Sequence, residues 1–148
     1  MALLLNLSGR DPLAPTDLDA VGCGEEGPVL LLPGDASCDD AALELTEVET
    51  ILIDFPDFKD GRGFTLGTRL RAQHGFEGEI RAVGKFIPDQ TPFLQRCGFD
   101  SALFAEPARY EAGKAALARV NVVMQAAPAC PKPSVLHLRH GRGLKASA

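Results

Sequence analysis

The sequence predicts an α/β fold: a single domain with a mainly parallel sheet built from βαβ units. Three observations predict it. Short runs rich in β-branched and Leu residues recur between residues 29 and 105, closed by Gly, Pro or Asp. Segments with helical spacing of apolar residues fall between them. The chain has 148 residues, 45 % hydrophobic and 24 % charged, which is enough for one buried core. Alternation of such elements implies parallel pairing and right-handed crossovers. The pattern leaves an open sheet and a partial barrel as alternatives. It divides the chain into a poorly patterned segment, 1–28, an α/β domain, 29–127, and a flexible basic tail, 128–148.

Leu3 to Leu7 reads as a short strand, and Asp11 to Gly27, rich in Pro, Asp and Gly, as loop. Val29 to Leu32 is a buried-strand run closed by Pro33-Gly34. Asp35 to Leu45 follows as a short helix, with Ser37 or Asp39 as cap. Thr50 to Asp54 (TILID) is the clearest strand. Phe64 to His74 reads as a helix: Leu66 and Leu70 share a face, Thr65 is the expected N-cap and Gly75 the stop. Glu79 to Val83 is the next strand, ended by Gly84. A helix from Pro88 or Asp89 to Cys97 points Phe93 and Leu94 to the core and stops at Gly98. Ser101 to Ala105 is a further strand. Pro107 opens a last helix to about Val123, in the first-turn position that suits proline.

Composition excludes several classes. A net charge of −5 argues against general nucleic-acid binding. No apolar run approaches the roughly 20 residues of a membrane span, and Met1 to Leu7 lacks the basic start of a signal peptide. The expected location is the cytoplasm, and the expected partners include neither membrane nor nucleic acid. Cys23, Cys38, Cys97 and Cys130 show no zinc spacing and read as reduced thiols.

In parallel α/β folds, ligands sit beyond the carboxyl ends of the strands. That rule gathers Asp54, Asp57, Lys59, Asp60 and Arg62 from one loop, Gly84, Lys85, Asp89 and Gln90 from a second, and Glu106 from a third. The candidates for anion or ligand binding are Asp60, Gly61, Arg62, Gly63, Lys85, Asp89 and Gln90. In Asp60-Gly61-Arg62-Gly63, two glycines permit a sharp turn with backbone N–H groups near a ligand. Arg62 can hold an oxyanion bidentately, or the turn is simply pinned by an Asp60–Arg62 contact. Asp54, Asp57 and Asp60 read as turn and cap residues, and no metal site is assigned. Arg81 lies within a strand and needs an acidic partner. Cys97, at the negative end of a helix, is expected to have a raised thiol pKa and no catalytic role. No flavin, nicotinamide or iron–sulfur motif is present, so the cofactor is left unknown, as are the catalytic residues.

The run DFPDFKDGRGFTLGTRLR, then GEIRAVG, then DQTPFLQRCGFD resembles the bacterial domain-of-unknown-function family 934 over residues 29–120. The shared pattern falls on Phe55, Pro56, Phe58, Asp60 to Gly63, Arg69, Leu70, Gly75, Gly78, Arg81, Ala82, Gly84, Asp89, Gln90 and Arg96 to Asp100. Phe64 stands where Tyr is usual and Lys85 where Asp is usual, and the residues after Pro128 lie outside the resemblance. Members are described as oxidoreductases or accessory proteins of sulfite reduction. The resemblance thus implies a sulfate-assimilation setting, with sulfite reductase or a neighbouring enzyme as partner.

Two functions are therefore expected in competition. One is an accessory or binding protein of assimilatory sulfite reduction without its own redox centre. The other is a small enzyme acting on an anionic metabolite, with Arg62 on the anion and Asp60 or Asp89 handling protons. A third reading, an interface module, would show Phe55, Phe58 and Phe64 as an exposed apolar patch.

Overall fold

The structure is a computed structural model that describes residues 2–9, 29–39, 45, 48–119 and 124. It is an α/β fold with, among the described residues, five strands in one open sheet: β1 (Leu3–Asn6), β2 (Val29–Pro33), β3 (Thr50–Phe55), β4 (Glu79–Gly84) and β5 (Ser101–Phe104). The order is β1-β5-β4-β3-β2. β2 to β5 run parallel, and β1 pairs antiparallel with β5. Among the described residues, the longer helices are α1 (Arg62–Ala72), α2 (Thr91–Arg96) and α3 (Pro107–Arg119), with a 3-10 turn, Pro88–Gln90, leading into α2.

From β2 to β5 the sheet advances one strand at a time in one direction. Right-handed crossovers must then place every connecting helix on the same face. The core agrees. Ile51, Ile53 and Phe55 of β3, Ile80 and Ala82 of β4, and Ala102 and Phe104 of β5 pack with Leu66 and Leu70 of α1, Leu94 of α2 and the partly buried Leu117 of α3. The alternate residues point the other way, as the two-residue period of a strand requires. There Leu52, Val83 and Leu103 form a second buried cluster.

Arg81 shares that second face, in register with Leu52 and Ser101. It is 1 % exposed and pairs with Glu79 at 2.9 Å. The Ser101 hydroxyl donates to the same carboxylate. This is the acidic partner that a strand-borne arginine needs, since an unpaired buried charge costs several kcal/mol, about 3–5 when one partner is lost.

Four expectations are corrected. Gly61, not Thr65, is the N-cap of α1, four residues earlier than expected, where Asp60 accepts from the Arg62 backbone N–H and turns the chain. Phe93 does not face the core; it stays 47 % exposed, with its ring 4.8 Å from that of Phe64. Phe55 and Phe64 are buried, which leaves only Phe58 of that trio at the surface. The helix expected over 35–45 does not begin at Asp35: Asp35 lies in a turn, Ala36 and Ser37 are not helical, Cys38 and Asp39 are helical, Leu45 is turn, and 40–44 lie outside the described residues. The loop expected over 11–27, the end of the last helix beyond 119 apart from Met124, and the tail from 128 lie outside the described residues.

Candidate functional site

The carboxyl ends of β2, β3 and β4 are stitched together by backbone bonds. Gly34 donates to the Asp54 carbonyl at 2.9 Å, and Lys85 to the Phe55 carbonyl at 2.7 Å. Gly84 takes φ +93°, and a Cβ there would sit 2.4 Å from Asp54 Oδ1 and 2.6 Å from the Phe55 carbonyl oxygen. Only glycine leaves the strand in that direction and at that distance.

The start of α1 is pressed onto this edge. A Cβ at Gly63 would meet the Phe55 ring at 2.7 Å, so the residue is small for packing and not for turning. Gly61 has φ −83°, an ordinary helical value, and neither glycine takes the positive φ that a sharp turn would need. The close approach brings Arg62, at the first position of α1, to the loop after β2.

Arg62 is held from two sides. Its Nε and Nη2 donate to the Asp60 carboxylate, Nη2 at 2.7 Å, and its backbone N–H donates to Asp60 Oδ1 at 3.1 Å. Nη1 reaches Asp35 Oδ2 at 3.3 Å. The side-chain and backbone bonds from Arg62 hold the Asp60 carboxyl down at about 2. The contact that pins the turn is therefore present, and it also fixes the guanidinium.

A cleft of about 210 Å³ opens beside this pair, lined among others by Asp35, Cys38, Arg62, Thr65 and Arg69. Arg62, Thr65 and Arg69 stand three and four residues apart along α1 and so share one stripe of the helix. Cys38 is 5 % exposed. Burial pushes its thiol pKa up, the Asp39 charge adds to this, and the Arg69 charge opposes it. Both sides of the cleft are thus set by long-range approach: α1 lies 27 residues from Asp35.

The other sequence candidates are placed on the same edge of the sheet but do not line this cleft. Lys85 and Asp89 are exposed. Gln90 ties two loops together, donating to the Phe58 carbonyl at 3.0 Å and accepting from Ile87 N–H at 3.0 Å. Asp57 accepts from Lys59 N–H at 3.0 Å and serves the turn. Cys97 has a raised thiol pKa, as expected, but its main cause is burial and not the helix end; the Thr68 hydroxyl opposes it. Asp35, Cys38, Thr65 and Arg69 are the cleft residues missing from the candidate set. Helical spacing from Arg62 could have found Thr65 and Arg69; no local signal joins Asp35 and Cys38 to them, because these two belong to a different βα connection.

A larger cleft, about 510 Å³, lies at the opposite end of the sheet between Val48 and the 74–78 turn. Its described lining includes His74 but neither Lys nor Arg, whereas the smaller cleft carries two arginines. Parallel-sheet geometry also favours the carboxyl ends, so the smaller cleft is the candidate site.

No helix among the described residues is long and apolar enough to cross a membrane. Searches of curated proteins and of solved structures gave no match. A family model, described as a bacterial protein of unknown function (DUF934), matches residues 29–135. The match includes β2 to α3 and the whole candidate site, leaves out β1, and runs past Pro128, where the sequence resemblance had stopped. The chain belongs to this bacterial DUF934 family.

Proposed function

We propose that the chain is an accessory protein of assimilatory sulfite reduction, without a redox centre of its own, that binds a small anion at its strand-end cleft. The observation that carries the binding half is Arg62: its guanidinium is oriented by Asp60 at the edge of a cleft that holds a second arginine. A carboxylate that fixes a guanidinium prepares it for planar, directional recognition of an oxyanion. The pathway half comes from the company kept by proteins of the resembling family, and its partner is sulfite reductase or another sulfate-assimilation enzyme.

The competing enzyme reading is weakened at one point. A general base works best with a pKa near the working pH. Asp60, held at about 2, is a poor proton acceptor near neutrality and acts instead as the orienting partner of Arg62.

Growth of a deletion strain on sulfate, sulfite, sulfide or cysteine as sole sulfur source tests the pathway. Growth on sulfide and cysteine, with none on sulfate or sulfite, is expected. Equal growth on all four would overturn the accessory role. A tagged full chain should also retain a sulfate-assimilation enzyme in a pull-down.

A further inference from the structure

We propose that the cleft takes a small oxyanion with two negative charges, of the sulfate, sulfite or phosphate type, which displaces the Asp35 carboxylate from Arg62 and is held from its other side by Arg69. The inference rests on the anion-binding reading and adds its ligand class, its second cation and an internal competitor.

Size sets the class. The cleft offers about 210 Å³. Pockets for drug-sized ligands start at about 300 Å³. A small oxyanion with some of its water fits.

The two acidic partners of Arg62 are unequal. Asp60 takes Nε and Nη2 and is 18 % exposed, with its closest bond at 2.7 Å. Asp35 takes only Nη1, at 3.3 Å, and is 52 % exposed. Charge-assisted bonds are ordinarily about 2.7–2.9 Å, so Asp35 is the loose partner, and an incoming anion meets Nη1 first. Displacing it also removes a like charge from the ligand's side.

Two further features suit an anion. Arg69 makes no ion pair among the described residues and lies on the Arg62 stripe of α1, with Thr65 between them in sequence. Arg62 itself occupies the first position of a helix whose first turn has no acid. A cation there opposes the macrodipole and adds to its positive end. Such a breach of local preference is expected where function demands it. The Cys38 thiol, its pKa raised by burial, brings no negative charge to the floor.

The test is amide NMR of the full chain titrated with sodium sulfate, sulfite or phosphate, against sodium chloride at matched ionic strength. Wild type, Asp35→Asn and Arg69→Gln are compared, with circular dichroism to confirm that each is folded. The oxyanions should shift Gly34 to Ala36 and Arg62 to Arg69. Asp35→Asn should bind about 3- to 10-fold tighter and Arg69→Gln about tenfold weaker, as expected for one charge-assisted contact. No gain from Asp35→Asn, no loss from Arg69→Gln, or equal shifts with chloride would overturn the inference. Tighter binding of sulfate and sulfite than of phosphate supports the sulfur setting; the reverse keeps the oxyanion site and counts against that setting. A growth defect at the sulfite step with no oxyanion binding would sink this inference and leave the accessory role standing. Oxyanion binding with normal growth would do the opposite.

Discussion

The Arg71 guanidinium and the Asp100 carboxylate form an ion pair that joins the last turn of α1 to the entrance of β5. The same guanidinium donates to the carbonyls of Gly98 at 3.0 Å and Gly78 at 2.8 Å, and to that of Phe76. The same Asp100 oxygen accepts from Ile80 N–H at 3.0 Å. One side chain thus fastens the amino ends of β4 and β5, opposite the candidate site.

Arg71→Ala should cost about 3 kcal/mol, since it strands a largely buried carboxylate and several carbonyls. Arg71→Lys should recover only part, because an ammonium cannot reproduce the planar fork. Urea unfolding monitored by circular dichroism gives both values. The double variant with Asp100→Ala should cost less than the two single losses added, as partners in one network do. An additive result would show that the pair is not the connection.

Arg81 makes a separate case. Its side chain is 1 % exposed and that of Glu79 is 3 % exposed. Arg81→Ala should destabilise by about 3–5 kcal/mol by removing the cation beside the buried Glu79 carboxylate. Arg81→Met with Glu79→Leu should be far milder, because apolar residues of similar volume often replace a buried pair at little cost. Chemical unfolding of the two variants measures the difference.

The strands were legible because their signals are local. TILID and EIRAV carry runs of β-branched and apolar residues bounded by turn formers, and they appear as β3 and β4. Arg62 was legible for a similar reason, since Asp60 lies two residues away. Asp35 was not, because it reaches Arg62 across 27 residues through the packing of α1 on the ends of β2 and β3. Lys85 and Asp89 were placed by topology on the correct edge. Topology gives the edge and not the direction of a side chain, and neither lines the cleft. Arg71 lies off the Leu66–Leu70 face of α1 by its spacing. Its long stem carries the charge around the helix to Asp100, which residue spacing alone does not reveal.

Gly67 tests whether packing or propensity rules α1. Glycine inside a helix ordinarily costs about 1 kcal/mol against alanine, so Gly67→Ala would stabilise an exposed helix. Here a Cβ would stand 2.5 Å from the ring of Phe99, itself only 1 % exposed. The ring also lies against Phe55, at a centroid separation of 6.0 Å, and has little room to yield. Overpacking of this kind costs about 1–3 kcal/mol, so a net loss of about 1 kcal/mol is expected. A raised melting temperature would show that α1 shifts freely over the core, and the fixed approach of Arg62 to Asp35 would then lose its support.

The Asp60–Arg62 pair sets a pH dependence whose sign is determined. The Asp60 carboxyl falls from an ordinary 3.8 to about 2 in the folded chain. Its native pKa is below its unfolded one, so it favours folding above about pH 4, and that contribution disappears as pH falls through about 2. The pair is open to solvent, and salt should reduce the effect. Carbon-detected NMR of the Asp60 side chain should show a midpoint near 2 in wild type. In Arg62→Gln the midpoint should return toward 3.8, because the bonds from the guanidinium are the largest cause of the shift. The residual depression should come from the backbone N–H of residue 62, which the substitution leaves in place. An unchanged midpoint in Arg62→Gln would mean that the backbone alone holds the carboxylate. Asp60 would then be a turn former, and Arg62 would reach the cleft without an orienting partner.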